Sequence, residues 1–247
     1  MKNGLKLEAE QVSASRFYIR ARAEHTALNF FLRTFAAQIH AYSAVASFIG
    51  LLILARITAD YPLSNYLSVI LFSVCCIILF SSSALMHFMV DGFDPSPMLS
   101  KVLENIDKMS IYLLIASTYT AVMHPILEQN AQLLILGTVW SLAIIGCLYT
   151  VFIHRLPRWA QSRIVYTGQF ILIGWTALLC IKDIVAAISF MQSCLIFDGG
   201  LTYSIGAVGY ATEWPTIGKN FGYHELWHLS VSLGCLFFYI LVVSLYL

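Results

Sequence analysis

Two histidines four residues apart open the last apolar stretch of the chain, in the run His224-Glu225-Leu226-Trp227-His228. Residues at i and i+4 share one face of a helix, which is how a helix presents two imidazoles to one metal ion. From Leu229 to Leu247 there is no charged residue and no further histidine. The pair therefore enters an apolar environment, where unpartnered polar groups are costly and by default functional. The same run satisfies the H-E-x-x-H pattern of zinc peptidases, with Glu225 as general base. That chemistry usually takes a third ligand from downstream, and no His, Asp or Glu follows His228. An upstream donor is the remaining route, as in intramembrane proteases. The simpler role for Glu225 is to cap the first helical turn.

The scaffold around these residues is set by composition. The chain is 59% hydrophobic and 11% charged, with a mean hydropathy of +0.78, which places it among polytopic membrane proteins. A net charge of +1 gives no footprint for a nucleic-acid partner. Met1 to Ala23 is polar and has no apolar core of a signal peptide. The six cysteines lie in or beside apolar runs without a CxxC pair and read as small buried residues, not a disulfide framework. Residues 1–35 form a polar arm at the membrane surface, and 36–247 one membrane domain.

About 20 mainly apolar residues span a bilayer as a helix. Seven segments qualify, at roughly 39–58, 64–89, 108–125, 132–153, 164–182, 192–212 and 223–245. The weakest region is 183–212: Asp198-Gly199-Gly200 interrupts it, and Asp183 to Gln192 reads as an external amphipathic turn. With seven spans, Lys2, Lys6, Arg16, Arg20, Arg22, Arg33, Lys101, Lys108, Arg155, Arg158, Arg163 and Lys219 fall on one side and only Arg56 and Lys182 on the other. The positive-inside rule then gives a cytoplasmic N-terminus and an external C-terminus. The expected fold is an all-α integral membrane bundle of seven helices.

This topology brings three helix ends together. Span 2 ends at the cytoplasmic side near His87; span 3 begins there with Asp107 in its first turn; span 7 begins there with His224 and His228. Three imidazoles with one open position suit a catalytic zinc, and a nearby carboxylate can aim a water or take its proton. Ser83 lies one turn before His87 on the same face. Taken singly, His87 reads as an interfacial polar residue, and Asp107 as a helix N-terminal acid favoured by the dipole or paired with its neighbour Lys108. The shared depth of all three histidines favours the metal.

These residues carry a family likeness. The chain resembles the hemolysin III family, the bacterial branch of the progestin and adipoQ receptors, which is similar in turn to the alkaline ceramidases. The resemblance runs from about His40 to the C-terminus. It rests on Ser83-x-x-x-His87, on Asp107 with the run Ile111 to Thr120, on Trp140-Ser141-Leu142-Ala143, on Tyr203-Ser204-Ile205-Gly206 and on His224-x-x-x-His228. It implies a seven-helix bundle with a zinc (Zn2+) near the cytoplasmic face, held by His87, His224 and His228, with Asp107 and Ser83 in the site. The chain departs from the family pattern before His40, where Leu32 or Arg33, and Ala36, stand near the places of an acid and an asparagine. Lys108 stands where bacterial relatives commonly have His, and Ala121 replaces a Pro. A cation at Lys108 would hold Asp107 ionised if the two pair.

The function implied is a zinc-dependent lipid hydrolase acting at an amide bond, in a bacterial inner membrane, with a membrane lipid or acyl chain entering between helices. A sensor or receptor-like protein with structural zinc is the alternative from another class. A cytolysin, as the family name suggests, fits a chain built to reside in its own membrane less well. Oligomeric state is left open.

Overall fold

The computed structural model describes residues 35–93, 95–218 and 221–247. The arm expected over 1–35 lies, apart from Phe35, outside them. Among the described residues the regular structure is helical, with one isolated bridge between Thr216 and Gly222. The helices are α1 Phe35–Ile57, α2 Leu63–Phe93, α3 Pro97–Ile126, α4 Gln129–Phe152, α5 Arg163–Gly174, α6 Ile181–Ala187, α7 Phe190–Thr212 and α8 Tyr223–Ser244. A 3-10 turn, Ile153–Arg155, prolongs α4, and a second, Trp175–Cys180, joins α5 to α6.

Six segments are long and apolar enough to cross a bilayer: α1, α2, α3, Gln129–Arg155, Arg163–Ala187 and α8. They make the chain an all-α, multi-pass integral membrane bundle. Large apolar side chains face outward, with Leu179, Leu134 and Phe190 at 77%, 72% and 85% exposure, which is a lipid-facing surface rather than one suited to water. The remaining expected span coincides with α7. Its 23 residues reach roughly 34 Å, the thickness of a hydrocarbon core. Gln192, Asp198, Gly199 and Gly200 dilute its apolar character. It packs along α8, where the Tyr203 ring fills the space above Gly234; a Cβ there would stand 2.8 Å from the ring. Small residues at such crossings let backbones approach.

Three boundaries differ from the sequence reading. The stretch from Asp183 is helical to Ala187, and only Ile188 and Ser189 connect it to α7. Ser189 caps α7, accepting from the Gln192 amide at 3.3 Å while Gln192 Oε1 accepts from the Ser189 amide at 2.9 Å. The span expected as one helix over 164–182 is broken at 175–180. The Tyr119 hydroxyl replaces the missing backbone partners, donating to the Gly174 carbonyl at 2.7 Å and accepting from the Ala177 amide at 2.8 Å. Finally, α3 starts at Pro97, capped by Ser96, and α2 runs to Phe93. Both helices therefore extend past their apolar runs at the end where the histidines gather.

Candidate metal centre

Two long helices bring the imidazoles together. On α2, His87 is 3% exposed. On α8, His228 is also 3% exposed and His224, one turn earlier, is half-buried. The ring centroids lie 4.8 Å apart for His87 and His224, 4.6 Å for His87 and His228 and 4.8 Å for His224 and His228. One ligating atom from each falls within 4.8 Å of the others. Among the described residues, these three form the group of His, Cys, Asp and Glu side chains close enough to hold a metal ion.

The nitrogens themselves test whether a metal fits. Nε2 of His87 and Nε2 of His228 are both buried without a hydrogen-bond partner. Each such group costs about 1–3 kcal/mol when left unsatisfied. Two bare nitrogens buried against a third imidazole are the atoms that a cation between them would engage. Three neutral imidazoles form a donor set of borderline softness, suited to zinc and its transition-metal neighbours and not to calcium or magnesium. The residues present fit the group expected from the sequence.

Asp107 stands beside this cluster, half-buried on α3. Its carboxyl group faces the Ser83 hydroxyl and lies in the field of His87. Ser83 is 2% exposed. Asp107 is ten residues past Pro97, the start of α3, so it is not the first-turn acid of the sequence reading, and the helix dipole gives it no reason to be there. Nor does Lys108 form its ion pair with Asp107. Its Nζ lies 3.7 Å from Glu104 Oε2 and 5.4 Å from the centre of the Tyr166 ring. Ser82 and Ser110 tie α2 to α3 at this level, with hydroxyls 3.3 Å apart, and Ser110 donates to the Asp107 carbonyl at 2.6 Å.

Glu225 is turned to the helix end. Its Oε2 accepts from the Gly222 amide at 2.8 Å, satisfying one of the orphan donors of the first turn. That is the capping role rather than the general base of a peptidase.

Two further residues, Asp91 and His40, join the site. Asp91 lies one turn beyond His87, its Oδ2 2.8 Å from His87 Nδ1. The i, i+4 spacing that singles out Ser83 before His87 could have found Asp91 after it. His40 on α1, whose role the sequence leaves open, is 2% exposed and packs edge-on against His228 with centroids 4.3 Å apart.

Beyond the site, a cavity of about 200 Å³ runs between α2, α3, α5, α7 and α8. Its walls are almost wholly apolar, and they include Leu79, Ile111, Tyr203, Trp227, Val231 and Phe238. Trp227 adjoins His228 in sequence, and Ile111 is one turn after Asp107. The three histidines do not themselves line it.

Comparison with known proteins agrees with this architecture. A model of the haemolysin-III related family matches residues 32–239. The chain is 28% identical over 207 residues to a hemolysin-3 homolog of Bacillus subtilis (strain 168), covering 81% of this chain and 90% of that protein. It is 28% identical over 209 residues to hemolysin-3 of Bacillus cereus, covering 82% of this chain and 89% of that one.

Proposed function

The chain belongs to the haemolysin-III family, and from that premise we propose that it is a zinc-dependent membrane hydrolase that cleaves an amide bond in a lipid. One observation carries the reading. Three imidazoles, two with bare buried nitrogens, stand beside a carboxyl group inside a membrane bundle, and a wall that includes Trp227 separates them from an apolar cavity. A zinc ion held by His87, His224 and His228 would supply Lewis acidity and lower the pKa of water from about 15.7 to about 7.

The remaining work falls to the chain's own residues. Asp107 takes the proton of the attacking water and returns it to the leaving nitrogen. Ser83 holds the Asp107 carboxyl against the site. The apolar cavity takes an acyl chain and keeps bulk water from it. Its wall at Trp175, Ala177, Leu178 and Ile181 lies on the broken fifth span, so a chain would enter there from the lipid.

Purified protein in vesicles containing N-acylated lipids tests the reading directly. Release of free fatty acid should follow zinc loading, stop on chelation and resume on readdition. Absence of release from every N-acyl lipid class, at full zinc occupancy, would sink it. The competing reading, a receptor-like protein with structural zinc, has one observation in its favour: the histidines stand behind the cavity wall and not in it. Metal-dependent stability without turnover would select that alternative.

The proposed orientation places this centre at the cytoplasmic face. It rests on the twelve-to-two division of Lys and Arg between the two sides. Reporter fusions should find the N-terminus inside and Leu247 outside. Both termini on one side would mean that α7 does not cross.

A further inference from the structure

The two bare nitrogens of the metal centre raise a question about protons. A neutral imidazole has one N–H, and which nitrogen carries it depends on the partner of the other. A histidine with its proton on the wrong nitrogen cannot ligate from that atom. A partner that holds the proton on the far nitrogen leaves the ligating lone pair in place before a metal arrives.

For His87 the partner is Asp91. An ionised carboxylate has no hydrogen to give, so at 2.8 Å it is His87 Nδ1 that donates. The lone pair is then left on Nε2, the atom that is buried without a partner. For His228 the partner is His40, which also meets a backbone carbonyl. His40 Nε2 lies 3.3 Å from the His228 carbonyl oxygen. A carbonyl can only accept, so this contact is a hydrogen bond when His40 carries its proton on Nε2 and its lone pair on Nδ1. His228 Nδ1 lies 3.3 Å from that His40 Nδ1 and 3.1 Å from His40 Nε2. The carbonyl engages the His40 Nε2–H, and we take the His40 Nδ1 lone pair as the acceptor and His228 Nδ1 as the donor. His228 Nε2 is then the atom left bare and buried. The opposite pairing, His40 Nε2–H to His228 Nδ1 at 3.1 Å, would put the His228 proton on Nε2 and is the outcome that nitrogen-15 labelling separates.

We propose that Asp91 and His40 are positioning residues that fix His87 and His228 as Nδ1–H tautomers, each with Nε2 free for the metal. The inference rests on the metal-centre reading above and deepens it. The two supports differ in kind. Asp91 is a carboxylate with 37% of its side chain exposed; it strengthens His87 as a donor and offsets part of the cation's charge. His40 is a neutral ring sealed between α1 and α8, which orients His228 without adding charge. Such partners are typically worth about 10–100-fold in metal affinity. This pairing also gives α1 a part in a centre whose ligands all lie on α2 and α8.

The test uses the full chain in lipid nanodiscs, stripped of metal, with histidine labelled by nitrogen-15. Ring-nitrogen resonances of the metal-free protein should report Nδ1–H at His87 and His228 and Nε2–H at His40. Zinc affinity is then measured by competition with a chromogenic chelator. His40→Phe and Asp91→Leu, which remove the acceptor, should each weaken binding by about 10–100-fold. His40→Gln and Asp91→Asn, which keep an acceptor, should recover most of the loss. An Nε2–H tautomer at His87 or His228 would overturn the proposal. So would unchanged affinity in the apolar variants, or conservative variants as weak as the apolar ones. If an apolar variant fails to fold, the tautomers of the unaltered protein and the conservative variants still decide. An unaltered protein that binds no divalent ion would sink the metal reading alone, and the tautomers would still test the positioning.

Discussion

Asp107→Asn should leave zinc content at one ion per chain and reduce lipid hydrolysis by about 10²–10⁴-fold, the usual worth of a general acid–base group. The substitution preserves shape and keeps a hydrogen-bonding group toward Ser83, but an amide cannot take a proton from water. Metal should remain because the close-set ligating atoms belong to His87, His224 and His228, while Asp107 faces Ser83 and His87 from α3. Glu225→Gln should do little beside it. That carboxylate is committed to the Gly222 amide, a contact Gln can keep, and its charge at a helix start is worth only about 0.3–1 kcal/mol. The two variants separate two chemistries. If the H-E-x-x-H run were a peptidase site, Glu225→Gln would be inactive at full zinc occupancy and Asp107→Asn would stay active. Fatty-acid release and metal analysis on the same two preparations distinguish the outcomes.

How much of this could be read in the sequence differs residue by residue. Six of the seven expected spans were legible because a helix in lipid must be apolar along its length, so composition alone marks it; the seventh coincides with α7, which is helical but less apolar. The clustering of His87, His224 and His228 followed from topology: alternating spans bring the end of the second and the start of the last to one face. Helix starts were less legible. The Ser96-Pro97 cap places the start of α3 well before its apolar run, which makes Asp107 an interior residue rather than a first-turn acid. The break over Trp175–Cys180 was hidden because its cause is not local: the Tyr119 hydroxyl, 55 residues before Gly174, supplies the partners that the helix lacks there. Lys108 pairs one turn back along its own helix with Glu104, which adjacency to Asp107 obscured. His40 was visible as a residue but not as a partner, because nothing in the sequence sets the rotation of α1 against α8.

The ligands should show the sharpest dependence on metal. His228→Ala and His224→Ala are each expected to bring zinc content to background, a loss well beyond the roughly 10–100-fold of an outer-shell partner. His228→Ala carries a second effect, because it vacates a buried ring position and leaves His40 without its neighbour at 3.1 Å; some loss of stability is expected even without metal. His224 is half-buried, so His224→Ala isolates the loss of a ligand from the loss of packing. Thermal unfolding reads the difference. A ligand that binds only the folded chain stabilises it by about 2.7 kcal/mol at 100 times its dissociation constant. Zinc should therefore raise the unfolding temperature of the unaltered protein in a concentration-dependent way, since it clips α2 to α8 across a chain separation of 141 residues from His87 to His228. Neither alanine variant should respond. A zinc-dependent rise that persists in both, with metal content unchanged, would mean the ion sits elsewhere and that the three imidazoles meet for another reason.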